Sequence, residues 1–190
     1  MYSQKDEEAH ILRAVEGIEA GTFMDIGAYD GYNYSNTMRL VERGWRGIMV
    51  EPGLEAFQAL LERHGSNKNL TLVHAAIGSG EMTKFWNNPR TFSTTHEPNT
   101  ERFKFEGFAE PYLVPTVTSY QVLRAAGFSK LDVLSIDTEG TSLSVIAQFP
   151  FELFTPRVVC VEHDGGISSL PGMLGYRIAM RNEENIIFVR

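Results

Sequence analysis

Short apolar runs alternate with amphipathic stretches along most of the chain, and this alternation restricts the fold more than any other feature. The apolar runs have strand length, whereas a stretch such as 54–64 repeats its apolar residues with the spacing of a helix. Strands that alternate with helices predict a mostly parallel sheet covered by helices on both faces. The last two apolar runs follow each other directly, which indicates an antiparallel strand at one edge. The sequence thus predicts a three-layer α/β sandwich around a mostly parallel seven-stranded sheet.

The alternation also gives the expected order of elements in a single domain of residues 1–190. We expect helix 7–18, strand 23–27, helix 33–43, strand 45–50, helix 54–64, strand 70–77, helix 120–126, strand 131–136, helix 143–149, strand 157–162 and a hairpin of 176–180 with 185–189. Residues 87–115 have no clean period, and such segments are often lids or binding loops. A plain insertion is the alternative. The aromatic residues of this segment either close over a substrate or pack the segment down: Phe92, Phe103, Phe105, Phe108 and Tyr112.

The charge balance and the single cysteine limit the partners and the compartment. The chain has 17 basic and 24 acidic residues, and it lacks a dense lysine and arginine run of the kind that grips nucleic acid. We therefore expect no nucleic-acid partner. No apolar run has the length of a membrane helix and the first residues lack the pattern of a signal peptide, so we expect no membrane partner. Cys160 stands alone in a strand-like run, which indicates an inert core thiol and a reducing, cytoplasmic location.

A glycine turn directly after the first strand indicates a ligand site. Residues 25–31 read Asp-Ile-Gly-Ala-Tyr-Asp-Gly, and glycine lets a ligand approach the backbone without a Cβ in the way. In open α/β sheets, ligands bind beyond the carboxyl ends of the strands. Glu51 ends the second strand, 24 residues after Gly27, where an acidic residue accepts hydrogen bonds from ribose hydroxyls. Together these features predict a nucleoside site.

The spacing of the glycines disfavours a dinucleotide. Dinucleotide sites carry G-x-G-x-x-G, which sets helix amides against a pyrophosphate, whereas this turn has G-x-x-x-G with Asp25 before it and Asp30 inside it. Two carboxylates suit a ligand that bears an ammonium and a sulfonium group. A nucleotide-dependent oxidoreductase and a catalytically inactive cofactor-binding protein are kept as alternatives.

Six stretches carry a resemblance to a known family: 23–37, 47–64, 73–78, 114–127, 131–140 and 158–165. They cover most of the chain, and their most specific parts are the glycine turn, Glu51-Pro52 and the run Ile136-Asp137-Thr138-Glu139-Gly140. The chain resembles the FkbM-type methyltransferases of the class I S-adenosylmethionine-dependent fold. The resemblance implies a Rossmann-like sandwich, S-adenosyl-L-methionine as cofactor, and O-methylation of a small-molecule or sugar hydroxyl.

The resemblance also implies a role for each matching residue. The expected cofactor-binding residues are Asp25, Gly27, Tyr29, Gly31, Ser35, Glu51, Ala76 and Asp137. Gly27 and Gly31 would line the methionine part, Asp25 would anchor the turn and the amino group, and Glu51 would hold the ribose. The backbone near Ala76 would face the adenine. Ser35 either meets the cofactor carboxylate, together with Asn36, or caps the next helix.

Acidic residues and one histidine follow the fourth and fifth strands, where the acceptor would bind. A hydroxyl must lose its proton to accept a methyl group, and a positioned base removes it. The expected catalytic residues are His163, Asp137 and Glu139, with His163 and Asp137 as the candidates for the base. A divalent cation on Asp137, Glu162 and His163 is possible but not favoured. Ser135 and Ser142 replace a lysine and a glutamate that are common in the family.

Overall fold

The computed structural model describes residues 2–88, 93–95, 110–163 and 175–190. Its elements in chain order are α1 (Glu7–Ala14), β1 (Thr22–Ile26), α2 (Met38–Glu42), β2 (Arg46–Val50), α3 (Leu54–His64), β3 (Leu70–Val73), β4 (Ala76–Ile77), β5 (Met82–Phe85), β6 (Tyr112–Val117), α4 (Ser119–Ala125), β7 (Val133–Ile136), α5 (Ser142–Ala147), β8 (Val158–Glu162), β9 (Arg177–Arg181) and β10 (Asn185–Val189). None of the described helices is long and apolar enough to cross a lipid bilayer. The predictions for Phe92, Phe103, Phe105 and Phe108 lie outside the described residues.

Seven strands form the main sheet in the order β3-β2-β1-β7-β8-β10-β9. Neighbours from β3 to β8 are parallel, and β10 runs antiparallel to both β8 and β9. The mostly parallel seven-stranded sheet with an antiparallel edge is therefore confirmed, with the reversed strand β10 second from that edge. The strand order of this sheet changes direction between β1 and β7, because β2 and β3 lie on one side of β1 and the later strands of the same sheet, β7 to β10, lie on the other.

Helices cover both faces of this sheet. Successive side chains of a strand point to opposite faces. On one face, Met24 and Ile26 of β1 belong to a core with Leu123 of α4 and Ile146 of α5. On the other face, Phe23 belongs to a second core with residues of α1, α2 and α3. Since both faces are packed, every residue of β1, β7, β8 and β10 is buried. The three-layer sandwich is confirmed.

A second, three-stranded sheet has the order β4-β6-β5. It pairs Ala76 with Thr116 in parallel and Phe85 with Tyr112 in antiparallel fashion. Two expectations are wrong here. The run 70–77 is not one strand, because β3 belongs to the main sheet and β4 to the second one. Residues 112–115 are not irregular, because they open β6. The pairings that make these residues strands join parts of the chain that lie far apart in sequence.

The helix expected over 33–43 is wrong in its first half, because α2 covers only Met38–Glu42. Asp30 Oδ1 accepts hydrogen bonds from the backbone N–H groups of Tyr32 (2.9 Å) and Asn33 (2.8 Å). Ser35 Oγ accepts one from the Met38 N–H at 3.0 Å. Short polar side chains that bond to nearby backbone groups compete with helical hydrogen bonds. The chain therefore passes through turns before α2 begins.

The buried carboxylate of Glu7 fastens α1 to the antiparallel edge of the sheet. Its Oε1 accepts hydrogen bonds from Asn182 Nδ2 at 2.7 Å and Asn185 Nδ2 at 3.2 Å, and its Oε2 accepts one from the Lys5 N–H at 3.0 Å. The residue is 0% exposed. This network joins the first helix to the last hairpin.

Candidate active site

The turn after β1 touches the end of β7 where the strand order changes direction. The backbone N–H groups of Gly27 and Ala28 donate to the Val50 carbonyl at 2.9 and 3.1 Å, and the Asp137 N–H donates to the Ile26 carbonyl at 2.9 Å. Gly27 has φ +83°, and a Cβ there would lie 1.7 Å from the Asp137 carbonyl oxygen. Only glycine fits both the left-handed backbone and this close approach. Such a change in strand order marks the crevice in which open α/β sheets bind ligands.

Two backbone amides fix the Glu51 carboxylate at the end of β2. Its Oε2 accepts a hydrogen bond from the Tyr29 N–H at 2.9 Å, and its Oε1 accepts one from the Gly53 N–H at 2.7 Å. Burial raises the pKa of Glu51 to about 7, and the two amide hydrogen bonds act in the opposite direction. Each carboxylate oxygen accepts more than one hydrogen bond. The carboxylate is therefore able to accept two further donors, such as the hydroxyls of a ribose.

Asp25 lies inside β1 and fastens the glycine turn to the start of α2. Its Oδ2 accepts a hydrogen bond from Thr37 Oγ1 at 2.6 Å. Ser135 is its register partner on β7, and the Ser135 side chain is buried. Burial raises the pKa of Asp25 to about 6, and the hydroxyl dipoles of Thr37 and Ser135 oppose that rise. Thr37 was not among the residues that the sequence pattern singled out.

The other turn residues serve partly different purposes from those expected. Tyr29 has φ +52° and gives its N–H to Glu51, while its side chain is largely exposed. Gly31 packs on α3, because a Cβ there would lie 2.6 Å from Leu60 Cδ1 and 2.9 Å from His64 Nε2. Ser35 Oγ accepts a hydrogen bond from the N–H of Met38, the first residue of α2, and its contact with the cofactor carboxylate stays a prediction.

The Asp30 carboxylate does not stand free beside the crevice. Besides its two backbone bonds, its Oδ2 accepts a hydrogen bond from Asn33 Nδ2 at 2.6 Å and lies 3.6 Å from Arg63 Nη2. Arg63 of α3 thus balances the charge of Asp30. The expected pair of turn carboxylates reduces to Asp25, and other acidic residues supply the negative charge of the crevice.

The ends of β2 and β3 form the side of the site where the adenine was expected. Ala75 and Ala76 are buried, and Ala76 begins β4. The Phe57 ring stacks on His74 with 4.6 Å between centroids and 12° between planes. His74 Nε2 lies 3.1 Å from the Pro52 carbonyl oxygen. These contacts join α3 and the loop after β2 to the end of β3.

Three carboxylates gather beyond the ends of β7 and β8. Oxygen atoms of Asp137, Glu139 and Glu162 all lie within 4.8 Å of one another. Burial raises the pKa of Asp137 well above its usual range, and the negative charges of Glu162 and Glu139 raise it further. Because burial and like charges at this distance disfavour its ionised form, Asp137 retains a proton more readily than an isolated carboxyl does. The sequence predicted two of these residues as catalytic and Glu162 only as a cation ligand.

Two hydroxyl groups that the sequence analysis did not single out as site residues hold this cluster. Ser142 is 0% exposed, and its Oγ donates to Glu162 Oε2 at 2.8 Å and accepts from the Thr138 N–H at 3.2 Å. Thr94 Oγ1 donates to the Glu139 carbonyl oxygen at 2.6 Å. The departure of Ser142 from the family pattern was its only sequence indication, and Thr94 had none.

His163 follows β8 but is not part of the carboxylate cluster. Its backbone N–H donates to the Glu184 carbonyl at 2.6 Å, and its Nε2 is in contact with the Arg181 guanidinium. The possible cation site expected on Asp137, Glu162 and His163 therefore has a different third ligand. Among the described residues, the acidic side chains close enough to share an ion are those of Asp137, Glu139 and Glu162. An all-carboxylate set offers only oxygen, which magnesium and calcium prefer.

The fold and this crevice define a class I methyltransferase that uses S-adenosylmethionine. Residues 25–178 match the model of the methyltransferase FkbM domain. The chain belongs to the FkbM methyltransferase family, so the expected family, enzyme class and cofactor are confirmed. The alternative of a nucleotide-dependent oxidoreductase is set aside.

Solved structures with low sequence identity share the fold, whereas no curated protein sequence matches the chain. TrmK of M. capricolum, in complex with S-adenosylhomocysteine, is 9% identical, with a TM-score of 0.50 over 94% of this chain and 65% of that one. The METTL16 methyltransferase domain is 11% identical, with a TM-score of 0.51 over 96% and 63%. Streptococcus pneumoniae Sp1610 is 14% identical, with a TM-score of 0.52 over 100% and 70%. The chain spans less than two thirds of the first two proteins.

The acidic residues around the crevice fit S-adenosylmethionine. This cofactor supplies a methyl group on a positively charged sulfur and carries a ribose with two hydroxyls. Glu51 would hold the ribose, because it is the buried carboxylate with acceptor capacity at the end of β2. The negative charge of Asp137 and its neighbours suits the ammonium and sulfonium groups. Gly27 keeps the space between β1 and β7 clear of a side chain.

Proposed function

We propose that this methyltransferase acts on a hydroxyl group of a small molecule, with a sugar as the favoured acceptor. The observation that carries the proposal is the carboxylate cluster of Asp137, Glu139 and Glu162. An oxygen nucleophile needs a proton acceptor as it attacks a methyl carbon. In the proposed step an O–C bond forms, the sulfur–methyl bond breaks, and the hydroxyl proton passes to a carboxylate.

Asp137 is the base that we favour. It directly follows β7 beside Gly27, and burial raises its pKa, so that its carboxylate takes up a proton more readily than an ordinary aspartate does. His163 stays the second candidate, although the Arg181 guanidinium occupies its Nε2. The carboxylates of Glu139 and Glu162, beside Asp137, would balance the positive charge of the sulfonium.

A groove rich in hydroxyl groups supports a sugar as the acceptor. It measures about 330 Å³, and its lining includes Thr141, two residues after Glu139 in the sequence. The polar side chains that line it include Thr83, Thr95, Thr116, Thr141, Ser144 and Gln148. Hydroxyl and amide groups form neutral hydrogen bonds in both directions, as a polyhydroxylated ligand requires.

The charge of the chain disfavours a nucleic-acid acceptor. A net charge of −7 repels phosphates, and sequence-independent binding of nucleic acid depends on lysine and arginine contacts. The single buried Cys160 agrees with a reducing compartment such as the cytoplasm.

Calorimetry followed by methyl transfer tests the proposal. The protein should bind S-adenosylhomocysteine and not NAD, and it should transfer labelled methyl from S-adenosylmethionine to members of a glycoside panel. Asp137→Asn should reduce transfer at least about 100-fold, whereas His163→Ala should retain most of it. The reverse result would make His163 the base. Cofactor binding with transfer only to RNA, or with no transfer to any acceptor, would contradict the proposal.

A further inference from the structure

The backbone of Glu139 adopts a conformation that residues with a Cβ rarely take. Its φ is +49°, in the left-handed region, where the Cβ approaches the following carbonyl oxygen unfavourably. Such a conformation persists only when the surroundings hold it, and residues of this kind cluster at functional sites. Glu139 is in the carboxylate cluster, so what holds its backbone bears on the reaction.

The side chain of Thr94 is hydrogen-bonded to this backbone. Its Oγ1 donates to the Glu139 carbonyl oxygen at 2.6 Å across 45 residues of sequence. Thr94 is 1% exposed, so water does not compete readily for the bond. A hydrogen bond shielded from water is electrostatically stronger than one on the surface.

Thr94 is itself fixed by backbone pairing. The Trp86 N–H donates to the Thr94 carbonyl at 2.8 Å, and the Thr94 N–H donates to the Trp86 carbonyl at 3.0 Å. Trp86 directly follows β5, which pairs with β6 in the second sheet. The hydroxyl of Thr94 therefore extends from a paired backbone and not from an isolated loop.

We propose that Thr94 is a positioning residue: its hydrogen bond keeps Glu139 in the left-handed conformation and thereby holds the Glu139 carboxylate beside Asp137 and Glu162. The part of this proposal that concerns catalysis rests on the proposed function. Without the bond, Glu139 would relax to an ordinary backbone conformation, and the spacing of the three carboxylates would change. Displacing a reacting group by about an ångström costs up to roughly 100-fold in rate.

Two variants of Thr94 separate positioning from simple packing. Thr94→Val keeps the shape and removes the hydroxyl, and Thr94→Ser keeps the hydroxyl and removes a methyl group. The first readout is the ¹³Cα and ¹³Cβ chemical shifts of Glu139, which report its backbone conformation without any substrate. In the valine variant these shifts should change to values typical of a glutamate with negative φ. In the serine variant they should equal those of the unaltered protein. Thr94→Ala gives the same comparison should the valine variant not fold.

The second readout is kinetic. Thr94→Val should lower kcat for methyl transfer by about 10-fold or more and change the affinity for S-adenosylhomocysteine by less than about 3-fold, whereas Thr94→Ser should keep both. Unchanged Glu139 shifts in Thr94→Val, or an equal loss of kcat in both variants, would overturn the positioning role. If the unaltered protein transfers methyl to no hydroxyl acceptor, the proposed function fails, while the chemical shifts still decide whether Thr94 holds Glu139.

Discussion

Replacing Gly27 with alanine tests whether the contact between β1 and β7 shapes the cofactor crevice. The added Cβ would lie 1.7 Å from the Asp137 carbonyl oxygen and 2.8 Å from its carbonyl carbon. Both atoms belong to the backbone and have no alternative rotamer. The two strands would therefore have to separate. Gly44→Ala is the matched control, because Gly44 has a similar φ of +75° and nothing within 4 Å of its Cβ position.

The expected magnitude follows from comparing these two variants. Both pay the left-handed strain of roughly 1–2 kcal/mol, and both gain about 0.4–1 kcal/mol because alanine has less freedom than glycine in the unfolded chain. These contributions cancel in the difference. Gly27→Ala adds the cost of overpacking, about 1–3 kcal/mol, and weakens the hydrogen bond from the Asp137 N–H to Ile26, worth about 1 kcal/mol. Gly27→Ala should therefore be about 2–4 kcal/mol less stable than Gly44→Ala.

Urea unfolding followed by circular dichroism measures this difference, and calorimetry with S-adenosylhomocysteine measures its effect on the site. Tyr29 lies in the same turn as Gly27, and its N–H donates to Glu51. Gly27→Ala should therefore also lose at least about 10-fold in affinity for S-adenosylhomocysteine, an effect of about 1.4 kcal/mol. Gly44→Ala should bind like the unaltered protein. Equal stability of the two variants, together with full binding by both, would refute the argument that backbone contact at Gly27 forms the crevice.

The two remaining predictions concern buried carboxylates. The free energy of unfolding should fall as the pH rises from 4.5 to about 7, because Glu51 keeps its proton in the folded chain at pH values where the unfolded chain has lost it. In Glu51→Gln, the fall over this pH range should be smaller by about 3 kcal/mol. An equal fall in both proteins would argue against the raised pKa of Glu51. Glu7→Ala should destabilise the protein by about 2–4 kcal/mol in thermal or urea unfolding, because the Asn182 and Asn185 amides lose their acceptor. The control Glu16→Ala, at an exposed position, should change the free energy of unfolding by less than about 0.5 kcal/mol. Similar effects of the two changes would contradict the role of Glu7 in joining the first helix to the last hairpin.

Local periodicity was sufficient for most of the main sheet. Helix 54–64 and strand 185–189 match α3 and β10 residue for residue, because their apolar spacing and length agree with burial on one face or on both. Periodicity failed where side chains bond to nearby backbone. Asp30 and Ser35 delay α2 in this way, and their hydrogen bonds leave no trace in the hydrophobic pattern.

The residues of the candidate site also differ in how far the sequence predicts them. The positions of Gly27, Glu51 and Asp137 at strand ends follow from the order of elements, since parallel strands bring their carboxyl ends to one edge. Their partners do not follow. Ser142 and Thr94 reach the carboxylate cluster from the start of α5 and from beside the second sheet, and hydroxyl side chains of this kind are common throughout the sequence.

The sequence by itself determined the layered α/β architecture and the edge of the sheet that carries the glycine turn, because hydrophobic period and glycine conformation are properties of neighbouring residues. Only the tertiary structure decided which carboxylates interact. The mutual distances of Asp137, Glu139 and Glu162, and so the proton affinity of the cluster, depend on burial and on the separation of charges that the fold brings together. Electrostatic interaction follows distance in space, and distance along the chain does not fix it.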